Sequence, residues 1–482
     1  MSGAHGGMEL WAVVPELILA GLVLVLLPLG AFLSAARQGI ATWVALLGLG
    51  AAAVASTRMW PWPSQAIFQD TYAVDPFAVY FKLLAIAATA FVLLATHSYF
   101  RDRPHAGEVP ALLVLTCLGI VGLAASQDLV LIALFVQLVT VGSYILVGIA
   151  KHDRHATEGA VKLFLFSAAA GAVMLYGMSL LYGLTGTLRL PELASQLPRA
   201  PVSAVLVALG LVIVGYGFKI TLVPFHVWAP DTYQGAPTPI AGYLSVGPKA
   251  AGLAVLLRTL VVAFPGGLGH WPEIFAVLAA LTMTVGNLFA LRQTSAKRLL
   301  AYSSIAQAGY LLVGIAAGRD ALGVSGFLFY LVIYLFMNLG AFLAVDGIER
   351  QTSTDELDHF LGLGWRLPLP ALVLTLSLLS LAGLPPLGGF VGKTMLFGAA
   401  LGVGWTWLAV IMGVNVALSL YYYLRILEPL YLRAPAVGAL QAEPPALRWA
   451  LIVLALGTLT TGVLPQLWVD WAERAATLLV AE

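Results

Sequence analysis

Seven basic residues of this chain stand inside long apolar runs: Lys82, Lys162, Lys219, Lys249, Arg258, Lys393 and Arg425. A charge within a membrane costs several kcal/mol, about 3 on insertion scales, and persists where it faces a helix-bundle interior or a wet cavity. Snorkelling of a long side chain to the interface is the alternative, and it stays open for Lys82, Arg258 and Arg425. Lys219, Lys249 and Lys393 fall well inside their runs. The acids lie elsewhere: Glu16, Asp75, Asp128, Glu158, Asp346 and Glu428 occupy first or last turns. Lysines far from carboxylates lose part of their preference for the ammonium form through desolvation. Such groups suit a proton relay, whereas a permeating metal cation would be served by carboxylates and carbonyls.

Two lysines adjoin a helix interruption. In residues 218–230 (FKITLVPFHVWAP), Pro224 follows Lys219 by five positions, and in 381–393 (LAGLPPLGGFVGK) a Pro-Pro and Gly-Gly break precedes Lys393. Proline removes a backbone donor and frees a carbonyl, which at membrane depth must be met by protein or by water in a cavity. Either break alone also reads as a packing kink. Paired breaks in corresponding halves are the usual pointer to an inverted-repeat transporter and its ion site. The breaks lie five spans apart, so the repeats are expected over spans 4–8 and 9–13.

The elements that must hold these lysines follow from composition. Of 482 residues, 60% are apolar and 10% are charged, against about 25% charged in soluble domains. An all-α polytopic membrane protein is the class that fits, with spans of about 20 apolar residues. Fourteen runs qualify: 10–34, 40–56, 73–96, 109–126, 129–150, 160–184, 203–223, 240–263, 273–291, 299–317, 322–345, 368–384 continuing through 389–401, 405–430 and 446–469. The corresponding division is 1–100 (three spans), 101–265 and 266–432 (one five-span repeat each), and 433–482 (a final span).

Charge in the loops tests that count. One set of alternate loops holds twelve cations: Arg37, Arg101, Arg103, Lys151, Arg154, Arg292, Lys297, Arg298, Arg350, Arg366, Arg433 and Arg448. The other holds five: Arg58, Arg189, Arg199, Arg319 and Arg474. The positive-inside rule makes the first side cytoplasmic and puts both termini on the other. Residues 1–7 lack the basic segment and cleavage site of a signal peptide, so the run from Leu10 reads as a retained span.

Other chemistries are excluded. The net charge of +1 argues against a nucleic-acid partner. A single cysteine, Cys117, rules out a disulfide framework or a four-thiolate cluster. The eight histidines, at 5, 97, 105, 152, 155, 226, 270 and 359, show no HExxH spacing, and no bound metal is expected.

Stretches 226–239 (HVWAPDTYQGAPTP), 244–252 (LSVGPKAAG), 297–306 (KRLLAYSSIA), 338–342 (NLGAF) and 384–393 (LPPLGGFVGK) resemble the antiporter-like subunit N family of respiratory complex I, the proton-translocating NADH:quinone oxidoreductase. Related antiporter subunits read Trp-Leu-Pro where this chain has Trp228-Ala229-Pro230. The resemblance covers nearly the whole chain. It implies a bacterial-type cytoplasmic-membrane subunit that moves protons beside other antiporter-like and small membrane subunits. No cofactor is expected in this chain, with NADH, FMN, iron-sulfur clusters and quinone in partner subunits.

By position in the family, Lys219 is the relay lysine of the first half-channel, Lys249 the connecting lysine and Lys393 the terminal lysine of the second. Lys162 modulates the first site, and His226 either shuttles protons or caps freed carbonyls. Gln137 stands where the family carries a glutamate, and Gln307 where subunit N commonly has histidine; both are then water-organising amides. Two alternatives remain at this stage. One is a subunit of a membrane-bound hydrogenase or multisubunit cation/proton antiporter; the other is a non-conducting structural subunit, suggested by the two glutamines.

Overall fold

The structure, a computed structural model, describes residues 10–33, 37–101, 106–264, 268, 270–318, 320–434 and 442–480, with backbone only for 478–480. Residues 1–7, His5, Arg103, His105 and Arg319, which entered the sequence reading, lie outside the described residues.

Apolar runs form helices because a chain in lipid must satisfy its own backbone groups. Among the described residues, twelve helices are long and apolar enough to cross a membrane, and two shorter apolar helices complete fourteen spans. They are α1 (Val14–Phe32), α2 (Gly39–Arg58), α3 (Pro76–Tyr99), α4 (Val109–Ala125), α5 (Leu129–Val147), α6 (Arg154–Thr185), α7a (Val202–Lys219), α8 (Thr238–Ala263), α9 (Trp271–Ala290), α10 (Ala296–Ala316), α11 (Ala321–Thr352), α12a (Pro368–Ala382), α13 (Thr406–Leu432) and α14 (Pro445–Val463). Broken spans continue as α7b (Ala229–Gly235) and α12b (Gly388–Gly402), and α15 (Pro465–Val480) follows α14. A hairpin of β1 (Gln65–Ile67) and β2 (Tyr72–Val74), paired antiparallel with Ala66 opposite Ala73, joins α2 to α3.

The acids at the helix starts are there to cap. Asp75 accepts from Ala78 N (2.6 Å), Asp128 from Val130 N (2.9 Å), Asp153 from His155 N (2.8 Å) and Asp320 from Gly323 N (3.0 Å). Each carboxylate takes a backbone N–H left unpaired by the first helical turn.

α8, α10 and α11 are almost wholly buried, while α1, α2 and α6 present Leu24, Trp43 and Phe164 outward. Helices α9 and α10 approach nearly backbone to backbone, since a Cβ on Gly286 would lie 2.5 Å from Ala306 N and one on Gly309 2.4 Å from Met283 N. The two breaks lie five spans apart, each in the fourth span of its five-helix unit, α4–α8 and α9–α13. The breaks fall at the same place in each unit, in α7 and α12. Both contain a cis peptide bond before proline, Val223–Pro224 and Pro385–Pro386.

Candidate functional site

The α12 break shows what a freed carbonyl does here. Helix α12a ends at Ala382, Gly383 adopts a φ of +90°, and α12b begins at Gly388. The carbonyls of the last turn of α12a have no helical partner. Lys393 supplies one from α12b: its Nζ donates to Leu381 O (2.6 Å) and Ala382 O (3.2 Å) and stands 4.6 Å from the centre of the Tyr310 ring. A Cβ on residue 383 would lie 3.0 Å from Lys393 Cδ, so glycine serves both the backbone turn and the lysine stem.

Gln307 shares that acceptor. Its Nε2 donates to Leu381 O (3.1 Å) and to Tyr423 Oη (3.1 Å), while its Oε1 accepts from Tyr330 Oη (2.5 Å). The amide is fully buried with donors and acceptor engaged. Tyr423 Oη lies 2.5 Å from Ser303 Oγ. The next residue, Ser304, is the anchor of Lys249, whose Nζ donates to Ser304 O (2.7 Å) and Oγ (2.5 Å). Tyr334 Oη is 2.8 Å from the same Oγ.

Lys249 and Lys393 are therefore the ends of one row of protein groups, hydrogen-bonded from Lys249 to Ser304 and from Ser303 through Tyr423 and Gln307 to the Leu381 carbonyl, with Ser303 and Ser304 adjacent in sequence on α10. Hydroxyls both donate and accept, so the Ser and Tyr links are able to reverse. The amide and the carbonyl stay fixed. Beyond Lys393 the row continues in neutral groups: Asn287 Nδ2 donates to Tyr310 Oη (3.2 Å) and Asn415 Oδ1 (2.9 Å), and Asn415 Nδ2 to Thr284 Oγ1 (3.0 Å).

The first break is arranged differently. Lys219 is the last residue of α7a, and its Nζ donates to Thr140 Oγ1 of α5 (3.0 Å). Thr140 lies one turn from Gln137, but Gln137 is half-buried and reaches toward α6, its Nε2 2.9 Å from the place a Cβ on Gly171 would take. The structure thus seats Lys219 on α5 through a residue the sequence reading passed over. Gly252, one turn along α8 from Lys249, admits the lysine stem; a Cβ there would meet Ile220 Cγ2 at 2.7 Å and Lys219 Cγ at 3.1 Å. His226 lies in the break with Nδ1 buried and without a hydrogen-bond partner.

Lys162 belongs to a separate cluster. Its Nζ is 2.6 Å from both Glu158 Oε1 and Asp231 Oδ2 and is about one-third exposed. Asp231, in α7b, also receives Arg298 Nη1 (2.6 Å), which in turn reaches Gln234 Oε1 (3.0 Å). Nearby, Lys297 Nζ lies 3.6 Å from Glu349 Oε1, and the Thr238 hydroxyl donates to the same carboxylate. Asp231 pins α7b between α6 and α10.

Snorkelling does not describe Lys82 or Arg258. Both are buried and paired, Lys82 Nζ with Glu16 Oε1 (2.7 Å) and Arg258 Nη1 with Asp75 Oδ2 (2.7 Å). The partners stand 66 and 183 positions away, out of reach of local pattern. Arg425 does run to a helix end, donating to the carbonyls of Leu291 and Gln293. Thr140, Ser303, Ser304, Tyr330 and Tyr423 were missed because isolated hydroxyls in apolar helices carry no spacing signal. Only a lysine known to face them would have marked them.

Residues 126–419 match the family model described as NADH:quinone oxidoreductase/Mrp antiporter, TM. Over 482 aligned residues the chain is 40% identical to NADH-quinone oxidoreductase subunit N of Trichlorobacter lovleyi, covering 98% of each. It is 36% identical to F(420)H(2) dehydrogenase subunit N of Methanosarcina mazei, covering 98% of this chain and 99% of that one. Among solved structures it matches a chain of respiratory complex I from Thermus thermophilus with bound aureothin, at a TM-score of 0.81 and 36% identity over 95% of this chain and 99% of that chain. With its paired broken spans and buried lysine row, the chain belongs to the NADH:quinone oxidoreductase/Mrp antiporter family of transmembrane subunits.

Proposed function

We propose that this chain is the proton-translocating subunit N of a membrane-bound NADH:quinone oxidoreductase. The observation that carries the reading is the run of polar groups between Lys249 and Lys393, closed at its centre by Gln307. An ammonium held by carbonyls and hydroxyls alone is balanced by no fixed anion, so small changes in its surroundings decide whether it keeps its proton. Lys219, against Thr140, is the equivalent station of the first unit, and Lys249 connects the two.

The residues that hold each lysine are neutral, so the charge that drives transfer comes from outside this row. Neighbouring membrane subunits, antiporter-like and small, are the source, and NADH, flavin, iron-sulfur clusters and quinone belong to partner subunits. Gln307 organises the route and takes no proton, while Gln137, turned toward α6, leaves the seating of Lys219 to Thr140. The loop-charge split of twelve cations against five supports a bacterial-type cytoplasmic membrane with both termini on the non-cytoplasmic side.

Substitution of Lys393 by Ala in the assembled complex tests the reading, with protons moved per NADH oxidised in sealed vesicles as the measurement. The ratio is expected to fall. An unchanged ratio in an assembled variant would sink the relay.

The similarity to F(420)H(2) dehydrogenase subunit N favours one second reading, the same row driven by a different electron-donor module. Purification of the native complex in mild detergent, with mass spectrometry of partners and assays for flavin and iron, separates the two. Hydrogenase or antiporter subunits in that preparation would instead reassign the driving reaction.

A further inference from the structure

Two buried ion pairs lie outside the lysine row, where α3 meets α1, α4 and α8. They differ in how completely they are satisfied. Asp75 caps α3 and receives Arg258 through Nη1 (2.7 Å) and Nη2 (3.0 Å). Arg258 Nε donates to Ala124 O (3.0 Å), and the guanidinium lies 4.9 Å from the centre of the Phe77 ring. Arginine does not release its proton in proteins. That pair is a fixed joint between α3 and α8.

Glu16 and Lys82 are arranged otherwise. Lys82 is fully buried, with Nζ 2.7 Å from Glu16 Oε1 and 5.3 Å from the centre of the Tyr72 ring. The same Oε1 accepts from Tyr72 Oη (2.5 Å), while Oε2 is buried without a hydrogen-bond partner. An ammonium carries three donors, and among the described residues Glu16 is its one charged partner. A buried pair left so incompletely hydrogen-bonded retains much of its desolvation cost. Transfer of one proton from Nζ to the carboxylate leaves a neutral amine and a neutral acid, and removes that cost without any further reactant.

We infer that Glu16 and Lys82 form a proton-exchange site in the amino-terminal helices, on the non-cytoplasmic side of the lysine row. The amine takes a proton arriving from the interior, passes it to the carboxylate, and the acid releases it outward. Lys82, Ala85 and Thr89 share one face of α3 at helical spacing. At the inner end of that face Thr89 Oγ1 lies 3.1 Å from Tyr243 Oη of α8, the helix that carries Lys249. The other titratable and charged groups facing the pair are Tyr72 from β2, Asp75, Arg258 from α8 and Cys117 from α4. Burial first, and then the Glu16 charge, pushes the Tyr72 phenol well above the ordinary tyrosine range, so it remains a donor to the carboxylate throughout.

This inference rests on the proton-moving reading, and the test separates the two. In the assembled complex in sealed vesicles, protons moved per NADH oxidised are compared for wild type, Lys393→Ala and the double variant Glu16→Gln with Lys82→Met, which removes both charges while keeping volume. A lowered ratio in both variants is the expected result. A lowered ratio in Lys393→Ala with a wild-type ratio in the double variant reduces Glu16–Lys82 to a structural pair and overturns the inference. A wild-type ratio in Lys393→Ala removes the relay itself. Should the double variant fail to assemble, the wild-type complex decides: dicyclohexylcarbodiimide, which attacks protonated carboxyls, is expected to modify Glu16, and to a greater extent as pH is lowered. No Glu16 adduct by peptide mass spectrometry at any pH overturns the site.

Discussion

Gln307 is the residue on which the inner row turns, because one amide meets a carbonyl beside Lys393, a hydroxyl leading to Lys249, and the Tyr330 hydroxyl. Replacing it by Leu keeps approximate volume and strands the Tyr330 hydroxyl, at a cost of about 1–3 kcal/mol when left buried and unpaired, while the Leu381 carbonyl keeps Lys393 and Tyr423 keeps Ser303. Gln307→Leu is expected to lower the thermal unfolding midpoint of the complex and the number of protons moved per NADH oxidised. A wild-type ratio in that variant would mean that Lys249 and Lys393 communicate by another route. Lys393→Ala acts on the other side of the Leu381 carbonyl and loses two hydrogen bonds to the end of α12a. At this scale the sequence exposes the three buried lysines, since a charge in an apolar run is conspicuous. It hides their acceptors, since a serine or tyrosine in the same run is ordinary.

The breaks are legible at the scale of elements, and the reason is chemical: Pro224, Pro385 and Pro386 cannot continue a backbone ladder. Their consequences are less so. Both breaks adjoin a lysine, yet Lys393 folds back to cap the helix before its break, while Lys219 ends its helix and reaches across to α5. That asymmetry depends on which neighbour offers an oxygen, and helix packing alone decides it. Close passage depends on glycine in the same way. Gly252→Ala places a methyl group against Ile220 and the Lys219 stem, so it is expected to lower proton movement while the complex still assembles. Pumping at the wild-type ratio would show that Lys219 has freedom to move aside.

Across the whole molecule, the span count anticipates the architecture, because it depends on composition summed over many residues. Long-range ion pairs depend on single contacts and are absent from any local pattern. Asp75–Arg258 is the clearest case, tying α3 to α8 across 183 positions. Asp75→Ala leaves a buried guanidinium uncompensated, at about 3–5 kcal/mol for a broken buried pair. Loss of assembled complex is expected on a native gel, and near-normal assembly would show that Arg258 finds water. The carboxy-terminal helix α15 spans the same region from outside, with Trp471 4.4 Å from the Tyr80 ring of α3 and Trp468 5.5 Å from the Phe336 ring of α11. The near-complete burial of α8 also bears on biogenesis. A ribosome delivers α3 before α8, so Arg258 meets Asp75 already waiting in the bilayer. Ser304 emerges only with α10, and Lys249 leaves the translocon before its acceptor exists. Lys249 therefore waits for its acceptor through the synthesis of two further helices.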